Sequence, residues 1–183
     1  MTKHLNIPFS IKSHQDDGFF CGYASVFGVT DHHQEIVARR AFQQSLDKWR
    51  GKGRLPKMLW QHDQHKPIGV WDEIYEDEHG LFVKGRLLLD LASGREAYAL
   101  LKAGVIDSLS IGFRPLRSLK DPKKNARVLE EVDLLEISLV TFAANPAAKI
   151  TTVKEFVVDD DIVRQIKELS TMLKSQCFTQ GRM

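Results

Sequence analysis

Val128-Leu-Glu-Glu-Val-Asp-Leu-Leu-Glu-Ile-Ser-Leu-Val-Thr-Phe142 and Val105-Ile-Asp-Ser-Leu-Ser-Ile-Gly-Phe113 are the strongest strand signals in the chain. Both are rich in large apolar and β-branched residues, the composition of a half-buried strand. At a period of two, Leu135, Ile137 and Leu139 share one face, and Glu136, Ser138 and Val140 share the other. In the second stretch Leu109, Ile111 and Phe113 oppose Ser108, Ser110 and Gly112. The apolar faces are large enough to be core, so the serines are expected to point away from it.

Between the two stretches, Arg114 to Arg127 holds six basic residues and one acidic one, a net charge near +5. This predicts a solvated loop. Upstream, residues 4–13 and 18–28 also read as strands, with Leu55–Trp60, Ile68–Tyr75 and Gly80–Asp90 following. An acidic turn, Glu76-Asp-Glu-His-Gly80, joins the last two. Phe42, Leu46 and Trp49 fall at helical spacing in residues 40–50, ahead of the stop Gly51-Lys-Gly53. A second helix is predicted over 93–104, with Ser93 as N-cap and Gly104 as terminator. After Asn145-Pro146 the pattern changes. Asp159-Asp-Asp161 precedes Ile162, Ile166, Leu169 and Leu173, the pattern of an amphipathic tail helix. The expected class is α+β, mainly β.

The 183 residues include 26 basic and 24 acidic side chains, a formal charge of +2. So small a charge argues against a dedicated nucleic-acid binder. The chain lacks the roughly 18-residue apolar run of a membrane helix and the h-region of a secretory signal. Cys21 and Cys177 lie far apart, which excludes a disulfide framework and suits a reducing cytoplasm.

Three positions could carry chemistry. Leu59-Trp-Gln-His-Asp-Gln-His65 supplies imidazoles, with His62 directly after an apolar strand end and His65 further into the turn. Ser108 and Ser110 supply hydroxyls, although a Ser-x-Ser strand edge facing water is the plain alternative. Glu136 sits in a very apolar stretch, where a carboxylate requires a hydrogen-bonding partner such as an imidazole, unless it lies at a water-facing edge. A metal pair of His62 and His65, aided by Asp63 or by His32-His33, has weak spacing and no cysteine support. A histidine, a serine and an acid in that order permit a nucleophilic triad. No Gly-x-Ser-x-Gly elbow is present.

Several motifs together carry a resemblance. They are Gly22-Tyr-Ala-Ser-Val-Phe-Gly28, Ala41-Phe42, Leu59-Trp-Gln-His-Asp63, Pro67-Ile-Gly69, Gly80-Leu81, Ser110-Ile-Gly-Phe113, Leu135-Glu-Ile-Ser-Leu-Val140 and Ala144-Asn-Pro146. In this order, over about residues 18–153, the chain resembles the caudoviral prohead serine proteases, the capsid-maturation proteases of tailed phages. Where that family usually has Pro-Gly-Ala-Phe, this chain has Arg39-Arg-Ala-Phe42.

The resemblance implies a serine endopeptidase that cuts the major capsid protein or its scaffolding segment, and commonly itself, during prohead maturation. It implies a fold like the herpesvirus assemblins, a closed or nearly closed β-barrel flanked by helices. By motif, Ser110 matches the nucleophile, His62 the general base and Glu136 the third member. Backbone amides around Ala144 and Asn145 are candidate oxyanion donors. No cofactor or metal is implied. The expected setting is the host bacterial cytoplasm, inside the immature prohead of a phage or prophage. The partners are the capsid protein and scaffold, with a homo-oligomer compatible. No membrane or specific nucleic acid is expected. The expected division is a protease domain at 1–155 and a tail at 156–183. A non-enzymatic capsid-assembly or scaffolding protein is the rival reading.

Overall fold

The computed structural model describes residues 18–153. The strand expected over 4–13 and the tail helix over 156–183 lie outside the described residues. Within them the strands are β1 (Phe19–Val26), β2 (Glu35–Val37), β3 (Lys57–Trp60), β4 (Asp63–Glu76), β5 (Gly80–Leu87), β6 (Ser108–Asp121), β7 (Ala126–Val140) and β8 (Ile150–Val153). The helices are α1 (Gln43–Gly51) and α2 (Ala92–Lys102). One mixed sheet runs β2-β7-β3-β4-β5-β1-β8, with β6 paired antiparallel to the free edge of β7. The expected α+β class, mainly sheet with two helices, describes this architecture.

β7 organises the sheet. β6 covers one edge from Ala126 to Val140. The other edge is shared by two short parallel partners, β2 at Arg127–Leu129 and β3 at Glu136–Leu139. The edge between them is still buried, and its backbone groups need partners. The region around α1 supplies them. Val132 N–H donates to Ala41 C=O at 3.0 Å, and Leu134 N–H to Ser45 Oγ at 2.9 Å. The Trp49 indole N–H donates to Leu134 C=O at 2.8 Å. This accounts for a serine, Ser45, buried on the inner face of the helix beside Leu46.

A bulge sets the faces of β7. Gly112 pairs with Glu136 but Phe113 pairs with Leu134, so Leu135 has no partner across the ladder. The extra residue shifts the alternation. Val132 and Leu134 before it, and Ile137 and Leu139 after it, are all fully buried. Burying each such side chain contributes about 1.5–3 kcal/mol. The strict alternation read from sequence placed Leu135 with Ile137 and Leu139. Leu135 is instead the exposed bulge residue.

Other differences have local causes. The basic segment after Phe113 is not a loop: β6 and β7 continue as a hairpin to a turn at 122–125. There Asp121 Oδ1 accepts the Lys123 and Lys124 amides. The cations stand outward along a paired ladder, so charge marked exposure and not irregular backbone. Ser93 lies inside the first turn of α2, not at its cap. Leu91 holds the cap position in extended conformation and accepts the first helical bond, from Arg95 N–H. Gly104, at φ +68°, ends that helix as expected. The short strands β2 and β8 were not read from the sequence. They are too brief to show a period.

The sheet is not closed into a barrel. Among the described residues Lys149, just before β8, meets Ser108 of β6 at one isolated bridge, and no ladder between β8 and β6 follows. β8 has only four residues, which is too few to seal a fourteen-residue strand.

Arg40 stands where the resembled family usually has glycine, and its φ is +68°. A side chain in this left-handed region costs about 1–2 kcal/mol relative to the right-handed one. Arg40→Gly is therefore expected to raise stability by about 1 kcal/mol in urea unfolding, after the entropy cost of glycine. Arg40→Ala keeps the Cβ and is expected to give no such gain.

Candidate active site

Neighbouring strands bring three chain segments together. Ser138 on β7 lies opposite Ser110 on β6 and opposite Leu59 on β3. β3 ends at Trp60, which pairs with Asp63 across a tight two-residue turn. The central residues, Gln61 and His62, both have positive φ, +53° and +61°. Two consecutive left-handed residues match the twist of a hairpin but strain non-glycine side chains. The turn is held by contacts to the end of β7. Gln61 N–H donates to Leu139 C=O at 2.9 Å. The Gln61 amide group donates to Thr141 Oγ1 and accepts the Thr141 N–H.

The turn places the His62 imidazole between a hydroxyl and a carboxylate. Its Nε2 lies 2.9 Å from Ser110 Oγ, and its Nδ1 lies 2.6 Å from Glu136 Oε1. In the neutral tautomer these partners favour, Nδ1–H donates to the carboxylate and Nε2 accepts the serine proton. The Ser138 hydroxyl donates to the other carboxylate oxygen, Glu136 Oε2, at 2.6 Å. It also accepts the His62 backbone N–H at 3.2 Å. Glu136 is mostly buried, with its side chain 13% exposed, and both of its oxygens are engaged. That satisfies the condition for a carboxylate in so apolar a strand.

Gly112 makes room for this. A Cβ built there would lie 2.2 Å from Glu136 Oε1, so no side chain fits without displacing the carboxylate. The space beside Gly112 is filled by Glu136 itself.

The site opens into a cleft of about 530 Å³. Ser110, His62, Ile111, Phe113, Ala144 and Asn145 line it, with Phe142 almost fully exposed at its rim. His32 and His33 also line it, and the His32 N–H donates to Ala144 C=O. His65 is exposed and its backbone N–H turns to Asp63. Among the described residues no three His, Cys, Asp or Glu side chains are placed to hold a metal.

The two serines read from the β6 motif part company. Both are buried, contrary to a water-facing edge. Ser108 donates to Asp107 at 2.7 Å and accepts from the Lys149 ammonium at 2.9 Å, which itself meets Asp107 at 2.7 Å. The Lys149 and Ser108 hydrogen bonds hold the Asp107 carboxyl below the usual carboxylate range. Its contribution to stability is thus complete above the ordinary Asp range and is lost as pH falls through the lowered value. Ser108 belongs to this clasp between β6 and β8. Ser108→Ala is expected to keep peptidase activity within about threefold, because its hydroxyl bonds Asp107 and Lys149 and not the imidazole. A cleavage assay beside wild type checks it.

Sequence alone places Ser138 on the face of Glu136 and gives it no further part. Its role as the hydroxyl between the carboxylate and the His62 backbone depends on the β3–β7 register, which no local pattern reveals.

A buried carboxylate, an imidazole and a serine hydroxyl in hydrogen-bonded sequence form the constellation of a serine hydrolase. The sequence model of the caudovirus prohead serine proteases matches residues 7–161. The chain belongs to that family and is a serine peptidase. It is 31% identical over 159 residues to the prohead protease of Enterobacteria phage HK97, covering 86% of this chain and 68% of that protein. Its fold is similar to that of the bacteriophage T4 capsid assembly protease, gp21. The TM-score is 0.54 at 11% identity, over 67% of this chain and 82% of that one. Superposition on the KSHV protease gives a TM-score of 0.49 at 14% identity, over 84% and 76% of the two chains. Among the described residues no helix is long and apolar enough to cross a membrane.

Proposed function

We propose that this chain is the capsid-maturation protease of a tailed phage or prophage, working through Ser110, His62 and Glu136. The observation that carries the roles is the unbroken contact series Ser110 Oγ–His62 Nε2 and His62 Nδ1–Glu136 Oε1. Ser110 Oγ attacks the scissile carbonyl as its proton passes to His62 Nε2. The imidazolium then protonates the leaving amine. Water attacks the acyl-enzyme by the same route. Glu136 holds the tautomer and offsets the transient positive charge. The amides of Ala144 and Asn145, which border the cleft, are the proposed donors to the oxyanion.

The proposed substrates are the major capsid protein, its scaffolding segment and the chain itself, cut inside the immature prohead in the host cytoplasm. Family membership supports this, as does the likeness to a capsid assembly protease. The peptidase is proposed to occupy residues 1–155, followed by the tail at 156–183.

Glu136→Gln is expected to lower the cleavage rate by up to about 10⁴, the scale seen when a triad acid loses its charge. The amide offers one acceptor oxygen, which cannot serve both His62 Nδ1–H and the Ser138 hydroxyl. Steady-state kinetics against the processed peptide checks this. The function is tested by co-expressing the chain with its phage's major capsid protein and weighing both by mass spectrometry. Discrete truncation of the capsid protein is expected with wild type alone. An intact capsid protein that nevertheless assembles normally would favour the non-enzymatic assembly role.

A further inference from the structure

We infer that Ser138 is a positioning residue for this site, a fourth polar group that holds the carboxylate and the imidazole in register. The inference rests on the proposed roles of Ser110, His62 and Glu136. The Ser138 side chain is fully buried. A buried hydroxyl must make its hydrogen bonds inside the protein. Ser138 makes both of them within the site, donating to Glu136 Oε2 at 2.6 Å and accepting from His62 N–H at 3.2 Å.

The two bonds act on different freedoms. The first fixes rotation of the carboxylate. Oε1 then stays on the imidazole while Oε2 is anchored 2.6 Å from the Ser138 hydroxyl. The second holds the backbone that carries the imidazole. That backbone is in the left-handed region at both Gln61 and His62. Each such residue relaxes unless surrounding contacts hold it. Gln61 is clamped by Leu139 and Thr141, whereas the His62 N–H meets Ser138. One hydroxyl thus ties the strained turn to the acid that its side chain must meet.

Sequence and register place Ser138 for this. Ser138 lies two residues beyond Glu136, so both side chains leave the same face of β7. It pairs with Ser110 on one side and Leu59 on the other. Gly112, across from Glu136, leaves the carboxylate free to swing if the Ser138 bond is lost.

The test is the phosphonylation of Ser110 by a fluorophosphonate, in which the serine oxygen bonds phosphorus and fluoride leaves; it reads activation of the nucleophile without a peptide substrate. Ser138→Ala is expected to lower the maximal phosphonylation rate by about 10–100-fold, the range for an ångström-scale misplacement of a catalytic group. The apparent affinity for the reagent should stay within about twofold. The low-field proton resonance of the His62 Nδ1–H···Glu136 bond should shift or broaden. Ser138→Thr, which keeps the hydroxyl on a strand that tolerates β-branching, should restore both rate and resonance.

Three results would overturn the inference. One is a Ser138→Ala protein phosphonylated at the wild-type rate. Another is a rate loss that merely follows the loss of folded protein, with the resonance unchanged in the folded fraction. The third is a folded Ser138→Thr protein as slow as the alanine variant. Should Ser138→Thr fold poorly, Ser138→Cys serves instead, with an intermediate rate expected and an alanine-like rate counting against the inference. Parallel Ser110→Ala and His62→Ala samples separate the two levels. If those abolish phosphonylation while Ser138→Ala reacts at the wild-type rate, only this inference fails. If Ser110→Ala is phosphonylated like wild type, the proposed site itself fails.

Discussion

Ser110→Ala is expected to reduce capsid-protein cleavage by about 10⁶ in kcat, leaving the fold intact. The magnitude is that of removing the nucleophile from an assembled triad, where the remaining members have nothing to activate. Stability should change little. Ser110 is 7% exposed, and its Oγ meets the imidazole, not the apolar core. Loss of one net hydrogen bond is worth about 1 kcal/mol. The pairing of β6 with β7 does not involve that oxygen. Rate measurements on purified wild-type and variant protein, with melting curves beside them, check both halves. An active Ser110→Ala would remove the nucleophile assignment. An inactive Ser108→Ala beside it would move the role two residues along the strand.

The second large effect concerns the base. His62→Ala is expected to be as severe as the serine change, at about 10⁶ in kcat, because the members of such a relay fail together. The combined Ser110→Ala, His62→Ala protein should be no slower than either alone. Unlike Ser110, His62 sits at a strained turn. Alanine keeps the same backbone requirement, so the turn remains held by Gln61 and Ser138. His62 is also half exposed, which limits the packing lost. His65→Ala is expected to retain activity, since its backbone is tied to Asp63 and it does not border the cleft. The reverse pattern would transfer the base role to His65. Single-turnover cleavage of the capsid protein by each variant decides between them.

Much of this fold was legible because long strands repeat their pattern. β1, β4, β5, β6 and β7 all contain stretches read as strands from alternation or aromatic content. Phe42, Leu46 and Trp49 marked the first helix. What was not legible depended on partners far along the chain. The Leu135 bulge changes the faces of β7, yet only the register against Gly112 and Phe113 reveals it. The charge of the 114–127 segment suggested a loop because it reported solvent exposure, which a projecting hairpin shares. Ser93 had the right chemistry for a cap but lay two positions too far along.

For the site, residue chemistry pointed to His62, Ser110 and Glu136, and family motifs narrowed the choice between neighbours. The structure brings the three within hydrogen-bond distance. It also separates Ser108, which bonds Lys149, from Ser110, which bonds His62. Sequence could not show that the empty face at Gly112 receives a carboxylate, or that one hydroxyl bridges Glu136 and the His62 backbone. Both follow from strand register, a property of the folded sheet and not of any local window.

The most direct measurement is to map the residue modified by a fluorophosphonate, using peptide mass spectrometry on protein co-expressed with its capsid protein. Modification is expected on Ser110 alone, disappearing in both Ser110→Ala and His62→Ala. Modification of another serine, or an unmodified Ser110 in a sample where the capsid protein is being cut, would contradict the hydrolytic centre described.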